Sequence, residues 1–170
     1  VITPGVFGAT IAGGGQSGHL NRVTDHWGVI GGGQNNRAGN NDADPNNTRF
    51  ATVSGGGYNT ASGIYATISG GLTNNAGGYY ATVGGGAYNN TGGNYATVSG
   101  GGINTASGSY ATVSGGIWNS ASGTQSTGGG GSYNNSGGDY ATVAGGHDNN
   151  SGGDYATVGG GNTNNANGQY

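Results

Sequence analysis

The 170-residue chain contains no cysteine, methionine, lysine or glutamate and only two prolines. Without cysteine there is neither a disulfide framework nor a thiolate metal site. Two prolines and no glycine at every third position exclude a collagen helix. Charged residues make up 5% of the chain and the net charge is -3, so there is no basic stripe of the kind nucleic acid requires. No apolar run approaches the roughly 18 residues of a membrane helix. What is abundant is glycine, with 45 residues. Glycine at this density does not fill helix interiors, where each one costs about 1 kcal/mol relative to alanine.

A glycine-, asparagine- and serine-rich chain has the composition of a flexible linker, but its register excludes one. From Phe50 a fifteen-residue unit returns without slippage, Tyr-Ala-Thr-Val-Ser-Gly-Gly-x-x-Asn-x-Ala-Ser-Gly-x. With the Tyr position numbered zero, threonine occupies +2 from Thr52 to Thr157 and glycine occupies +5, +6 and +13. Asparagine occupies +9 as Asn59, Asn74, Asn89, Asn104, Asn119, Asn134, Asn149 and Asn164. Two degenerate units precede this array, opening at Gly8 and Trp27, with extra residues around 16–20 and after Ala38-Gly39. The chain thus divides into residues 1–49, degenerate coils forming a cap or recognition end, and residues 50–170, the regular array.

Each unit consists of two similar halves, as Ala51 to Gly55 and Asn59 to Gly63 show. Two short strands and two glycine turns make one coil of a flattened solenoid, because fifteen residues are too few for a strand, a helix and two turns. The fold expected is all-β, a parallel β-roll (β-solenoid) of about ten coils. Alternation places Ala at +1 and Val at +3 inside, with Tyr, Thr at +2 and Ser at +4 outside. The glycine pair is expected to supply positive φ at one turn and Gly at +13 to serve the other. Asn at +9 is expected to tolerate a left-handed conformation and to bond the Asn above and below in a structural ladder. Phe50, Tyr65, Tyr80, Tyr95, Tyr110, Tyr140 and Tyr155 form an outward column larger than the apolar patches monomers usually expose, which makes them oligomer-interface candidates. Tyr58, Tyr88, Trp118 and Tyr133 recur at +8 as surface-binding candidates.

The unit Tyr-Ala-Thr-Val-Ser-Gly-Gly followed by Asn-x-Ala-Ser-Gly resembles the head repeats of YadA-like trimeric autotransporter adhesins. It is more similar still to the fifteen-residue variant in large exported bacterial repeat proteins and tail-fibre-like proteins. Asn21-Arg22-Val23-Thr24-Asp25 and Trp27-Gly28-Val29-Ile30-Gly31-Gly32-Gly33 resemble the degenerate segments of such proteins, so the likeness covers residues 8–170. It implies a left-handed roll assembled as a parallel homotrimer or filament, displayed outside a bacterial-type cell as an adhesive or spacing element. The Tyr column and the fifteen-residue period depart from typical adhesin heads. The array, still mid-pattern at Tyr170, is expected to continue into further coils or to stack on another molecule.

No catalytic constellation emerges, and the chain is read as non-enzymatic. His19, Asp25 and His26 are close in sequence, but no poised nucleophile accompanies them. No cofactor is expected. Asp139 and Asp154 share position +14 and are weak candidates for a hard cation such as Ca²⁺, with solvated turn residues as the plain reading. Asp42-Ala-Asp44 has the spacing that opens a calcium loop but lacks the Gly and Glu that complete one. Sequons occur at Asn46, Asn89, Asn134 and Asn149. Three functions compete: an extracellular fibre or adhesive module whose partners are itself and a surface ligand or glycan; an ice-binding solenoid using the Thr column; and a carbohydrate-binding module using the Tyr and Trp columns. Nucleic-acid binding is not expected, nor is a membrane span. The unit from Gln125, with Gly128 in place of Val, is expected to have a thinner core and higher local mobility.

Overall fold

A computed structural model describes residues 1–42 and 44–168. Among these, the chain forms a parallel β-solenoid of ten coils with two-residue strands: β1 (Thr10–Ile11), β2 (Arg22–Val23), β3 (Val29–Ile30), β4 (Arg37–Ala38), β5 (Thr52–Val53) and β6 (Thr60–Ala61), continuing in the same alternation to β20 (Asn165–Ala166). Odd-numbered strands make one ten-stranded sheet and even-numbered strands the other. Identical repeat positions pair, Thr52 with Thr67 and Val53 with Ile68 in one sheet, Thr60 with Asn75 and Ala61 with Ala76 in the other. The register passes both insertions unchanged: Thr10 pairs with Val29 across the first, and Val29 with Thr52 and Arg37 with Thr60 across the second. A third column of parallel bridges links Gly57, Leu72, Ala87 and their equivalents at +7, a contact that alternation does not reveal.

The strands are short because a left-handed residue stands two positions ahead of each one except β2. Tyr65, Tyr80 and Tyr95 at position zero have φ of 58°, 55° and 58°, and Tyr58, Thr73 and Tyr88 at +8 have φ of 59°, 56° and 59°. Position zero therefore sits at a corner, not on the strand face where strict alternation put it. The two corners explain why the half-units look alike: zero corresponds to +8, Ala at +1 to Asn at +9, and Val at +3 to Ala at +11. A non-glycine residue in this conformation costs roughly 1–2 kcal/mol. The neighbouring coil supplies the compensation: Tyr65 N–H donates to the Arg49 carbonyl at 3.0 Å and Tyr80 N–H to that of Ile64 at 2.9 Å.

The core is as thin as the sequence implies. Ala51, Val53, Ala61 and their repeats as far as Val143 are fully buried, and Ala166 in the last coil is half-buried. Where +11 carries a hydroxyl, the buried group finds a carbonyl, Ser136 bonding Thr127 at 2.8 Å and Ser151 bonding Ala156 at 2.6 Å. Two expected roles differ, those of Gly at +13 and Asn at +9. Gly56 at +6 does have positive φ, 87°. Gly63 at +13 has no positive φ; a Cβ there would be driven into the carbonyl of Gly78 on the next coil. Small size at +13 is demanded by the approach of two coils, not by backbone conformation. Asn at +9 is not left-handed either; the residue before it is.

The Gln125 unit keeps its strand, Thr127–Gly128, paired on both sides. Its core is thinner: a Cβ on buried Gly128 would lie 3.7 Å from Val113 Cγ2, in ordinary contact.

Two contrasts follow. Gly108→Ala, at +13, is expected to cost about 2–4 kcal/mol. Gly100→Ala, where a Cβ meets nothing within 4 Å, should stay within about 0.5 kcal/mol of wild type; equal urea midpoints for the two variants would refute the close-approach account. Gly128→Ala is expected to gain about 0.5–1 kcal/mol and to slow amide exchange at Thr127 and Gly128, which should exceed that of the adjacent coils in the wild type.

Candidate functional site

The asparagine column is the most internally satisfied feature of the molecule. Asn104 Nδ2 donates to the carbonyls of Gly100 at 3.0 Å and Gly116 at 2.9 Å, while Oδ1 accepts the Asn119 backbone N–H at 3.0 Å. Asn59, Asn74, Asn89, Asn119, Asn134 and Asn149 repeat the pattern, and Asn164 Nδ2 donates to Gly160. Direct amide-to-amide bonds also occur, as from Asn134 to Asn119 at 3.1 Å. The column continues into the degenerate coils, where Asn36 N–H donates to Asn21 Oδ1 and Asn59 N–H to Asn36 Oδ1, both at 3.0 Å. The recurring Asn-Arg before Val23 and Ala38 is the sequence signal for that extension. A glycan at Asn89, Asn134 or Asn149 would break this buried ladder. Of the sequons, Asn46 alone is exposed.

The position-zero side chains stack along the rod. Trp27 lies on Phe50, Phe50 on Tyr65, Tyr65 on Tyr80, Tyr80 on Tyr95 and Tyr95 on Tyr110, with ring centroids 5.0, 4.8, 4.6, 5.2 and 4.8 Å apart and planes within 11°. Gln125 interrupts the stack, which resumes between Tyr140 and Tyr155 at 4.8 Å. Trp27 is a member that a count from Phe50 misses. Tyr79 braces the stack edge-on, 4.4 Å from Tyr80. The column from Phe50 onward is 36% to 56% exposed. Its ring faces are covered by neighbouring rings, so what it offers to solvent is ring edges and hydroxyls. The +8 aromatics Tyr58, Tyr88, Trp118 and Tyr133 are also exposed. Only Trp118 and Tyr133 stack, at 6.2 Å, because Thr73 and Ile103 separate the others.

The acidic and histidine candidates are held apart. Asp139 Oδ1 accepts the Thr124 N–H at 2.7 Å and Asp154 Oδ1 that of Asp139 at 3.0 Å, so these carboxylates cap backbone amides one coil away. Asn94 does the same for Tyr79 at 3.0 Å. Among the described residues no three His, Cys, Asp or Glu side chains are grouped to hold a metal ion. His19 Nδ1 meets the Tyr58 hydroxyl at 3.0 Å, whereas His26 Nδ1 accepts the Phe7 N–H at 2.9 Å and its ring stacks on Phe7. Asp25 bonds neither histidine. Its Oδ2 accepts the Thr24 hydroxyl at 2.8 Å and the Asn40 N–H at 3.0 Å.

The second insertion is ordered by its own acids. Asp42 Oδ1 accepts the Asp44 N–H at 3.0 Å, and Oδ2 accepts from the amides of Asn40 and Asn47. The Asp44 N–H bond, then the Asn47 amide, holds the Asp42 carboxyl below its ordinary range. Asp25, covered by this region, is shifted the other way by desolvation, and its Oδ1 is buried without a partner.

No protein-family model and no curated protein matches the chain. Function is therefore argued from the surfaces just described.

Because Asp25 titrates above its ordinary 3.8 in the fold, the folded chain holds more protons than the unfolded chain between 3.8 and the raised midpoint. Stability therefore falls as pH rises through that window and stays lower above it. Asp25→Asn keeps an acceptor for Thr24 and Asn40 and removes the charge. It is expected to be at least as stable as wild type at pH 7, with the difference shrinking as pH falls toward 4 in parallel urea titrations.

Proposed function

We propose that the chain is a non-enzymatic structural and adhesive fibre module, a rigid rod that associates with parallel copies of itself outside the cell. The observation that carries this reading is the in-register aromatic stack, half exposed on a solenoid whose other recurring repeat positions build the scaffold. Six adjacent rings from Trp27 to Tyr110 present a continuous edge of ring carbons and hydroxyls, each residue 36% to 55% exposed, and contiguous exposed edges of this kind mark association surfaces. Parallel chains would bring identical edges together, as closed symmetry requires. The resemblance to trimeric adhesin heads adds the expectation of three chains and a left-handed roll.

Ice binding is a second reading, favoured by the unbroken threonine column from Thr52 to Thr157 held in strict register on one sheet. Carbohydrate stacking is a third. The covered faces of the main column confine it to Tyr58, Tyr88, Trp118 and Tyr133, where glycan addition would quench Trp118.

Sedimentation decides the leading reading. The chain is expected to sediment well above its 16.3 kDa, and a Tyr80→Ser, Tyr95→Ser, Tyr110→Ser variant to shift toward the monomer. A soluble monomer at all concentrations would overturn the proposal, and thermal hysteresis abolished by Thr97→Tyr would move the assignment to ice.

A further inference from the structure

The first insertion carries a feature that neither the solenoid nor the aromatic column accounts for. Residues 16–20 fold back as a tight hairpin closed by a Gln16–His19 bridge. The hairpin is pinned to the rod twice, by the Asn35 N–H on the His19 carbonyl at 3.0 Å and by the Tyr58 hydroxyl at His19 Nδ1. Against it opens a cavity of about 230 Å³, walled by Leu20, Arg22, Asn35, Arg37, Tyr58 and Thr60.

Arg22 and Arg37 are direct register partners on β2 and β4, on strands roughly 4.8 Å apart. With no lysine in the chain, they are two of its three permanent side-chain cations. Like charges directly opposite in a ladder repel. Among the described residues neither guanidinium has an ion pair or hydrogen bond, and Arg37 Nε is buried with no acceptor. A buried donor without an acceptor is costly, the more so when charged. The solenoid does not require this arrangement, since the same +10 column carries Thr60, Asn75, Asn90 and Thr105 in the following coils. A single group relieves the repulsion: an oxyanion between the two guanidiniums, whose planar forks match the geometry of carboxylate or sulfate.

We propose that this pocket binds an acidic sugar residue through its carboxylate or sulfate. The Arg22 and Arg37 forks take the oxyanion. The Asn35 amide and the Thr60 hydroxyl stand ready for sugar hydroxyls, and Leu20 and the Tyr58 ring supply the apolar wall. The volume admits one small residue, so the site reads a single charged unit of a polymer or a terminal sugar. It belongs to one chain and is independent of whether the rod self-associates.

The test is titration of the full chain at low salt with glucuronate, with N-acetylglucosamine 6-sulfate, with neutral glucose and with inorganic sulfate. Calorimetry and the arginine Nε–H resonances report the binding. Saturable binding of at least one acidic sugar, with movement of the Arg37 Nε–H signal and no response to glucose, is expected. Arg37→Gln and Arg22→Gln should each weaken binding about tenfold or more. Arg37→Lys should lose less, since it keeps the charge but not the fork. Arg49→Gln, outside the pocket, should bind as wild type. Lack of saturable binding by the wild type overturns the proposal, as does binding unchanged in an Arg22→Gln, Arg37→Gln double variant with a wild-type circular dichroism spectrum. Inorganic sulfate binding as tightly as the sulfated sugar overturns the sugar assignment. If the glutamine variants fail to fold, the Nε–H signal in the wild type decides alone, and its immobility on titration counts against the site.

Discussion

Everything in this solenoid depends on the carboxamide that ties each coil to the next. One Asn side chain reaches a glycine carbonyl of its own coil, a glycine carbonyl of the following coil and the backbone N–H of the following Asn. Those bonds fix the corner, and the corner dictates much else. Gly at +6 must present its carbonyl to the amide while taking positive φ. The residue at +8 must turn left-handed so that the next backbone N–H faces the Asn below. Once the coils are locked at strand spacing, the opposite corner closes so tightly that +13 tolerates no side chain. A burial of one valine and two alanines per coil could not hold fifteen residues in place alone; the repeated polar clamp, shielded from water, makes the thin core sufficient.

The aromatic stack is a second consequence of the same geometry. Left-handed corners recur at a fixed rise, so a ring placed at one corner meets the ring of the next coil at stacking distance. The offset contacts between rings help to balance the backbone cost of bulky residues in a conformation that favours glycine. It also changes what the column can do. Rings stacked on each other cannot serve as open platforms for a sugar face, but their aligned edges make a continuous seam. The chain thus separates its chemistry along the rod: an apolar seam beside the repeats, and the cationic, loop-bearing coils at one end.

Much of this was legible in the residues. The fifteen-residue return of Thr, Asn and Gly specified coil number, strand positions and the inward set Ala51, Val53 and Ala61, because an in-register parallel stack maps sequence period directly onto space. Three things were not. The left-handed Tyr corner escaped because alternation assigns every residue near a strand to a face, and left-handed tyrosine is too rare to expect. The reason for Gly63 was hidden because close approach and positive φ call for the same residue. The Arg22 and Arg37 pocket could not be seen: the two arginines stand one period apart, but the walls Leu20 and Tyr58 come together only when the His19 hairpin docks on the rod.

That tolerance of the insertions has an evolutionary consequence. The two insertions leave the rod at its corners, and the strands on either side pair as though nothing had been added. The junction therefore recognises coils, not residue counts. A gene that duplicates or loses one repeat unit changes the reach of the rod by one strand spacing and creates no new interface to be selected. Length in such a protein can drift quickly while the fold stays fixed, and a loop grafted at a corner can be tried without disturbing its neighbours.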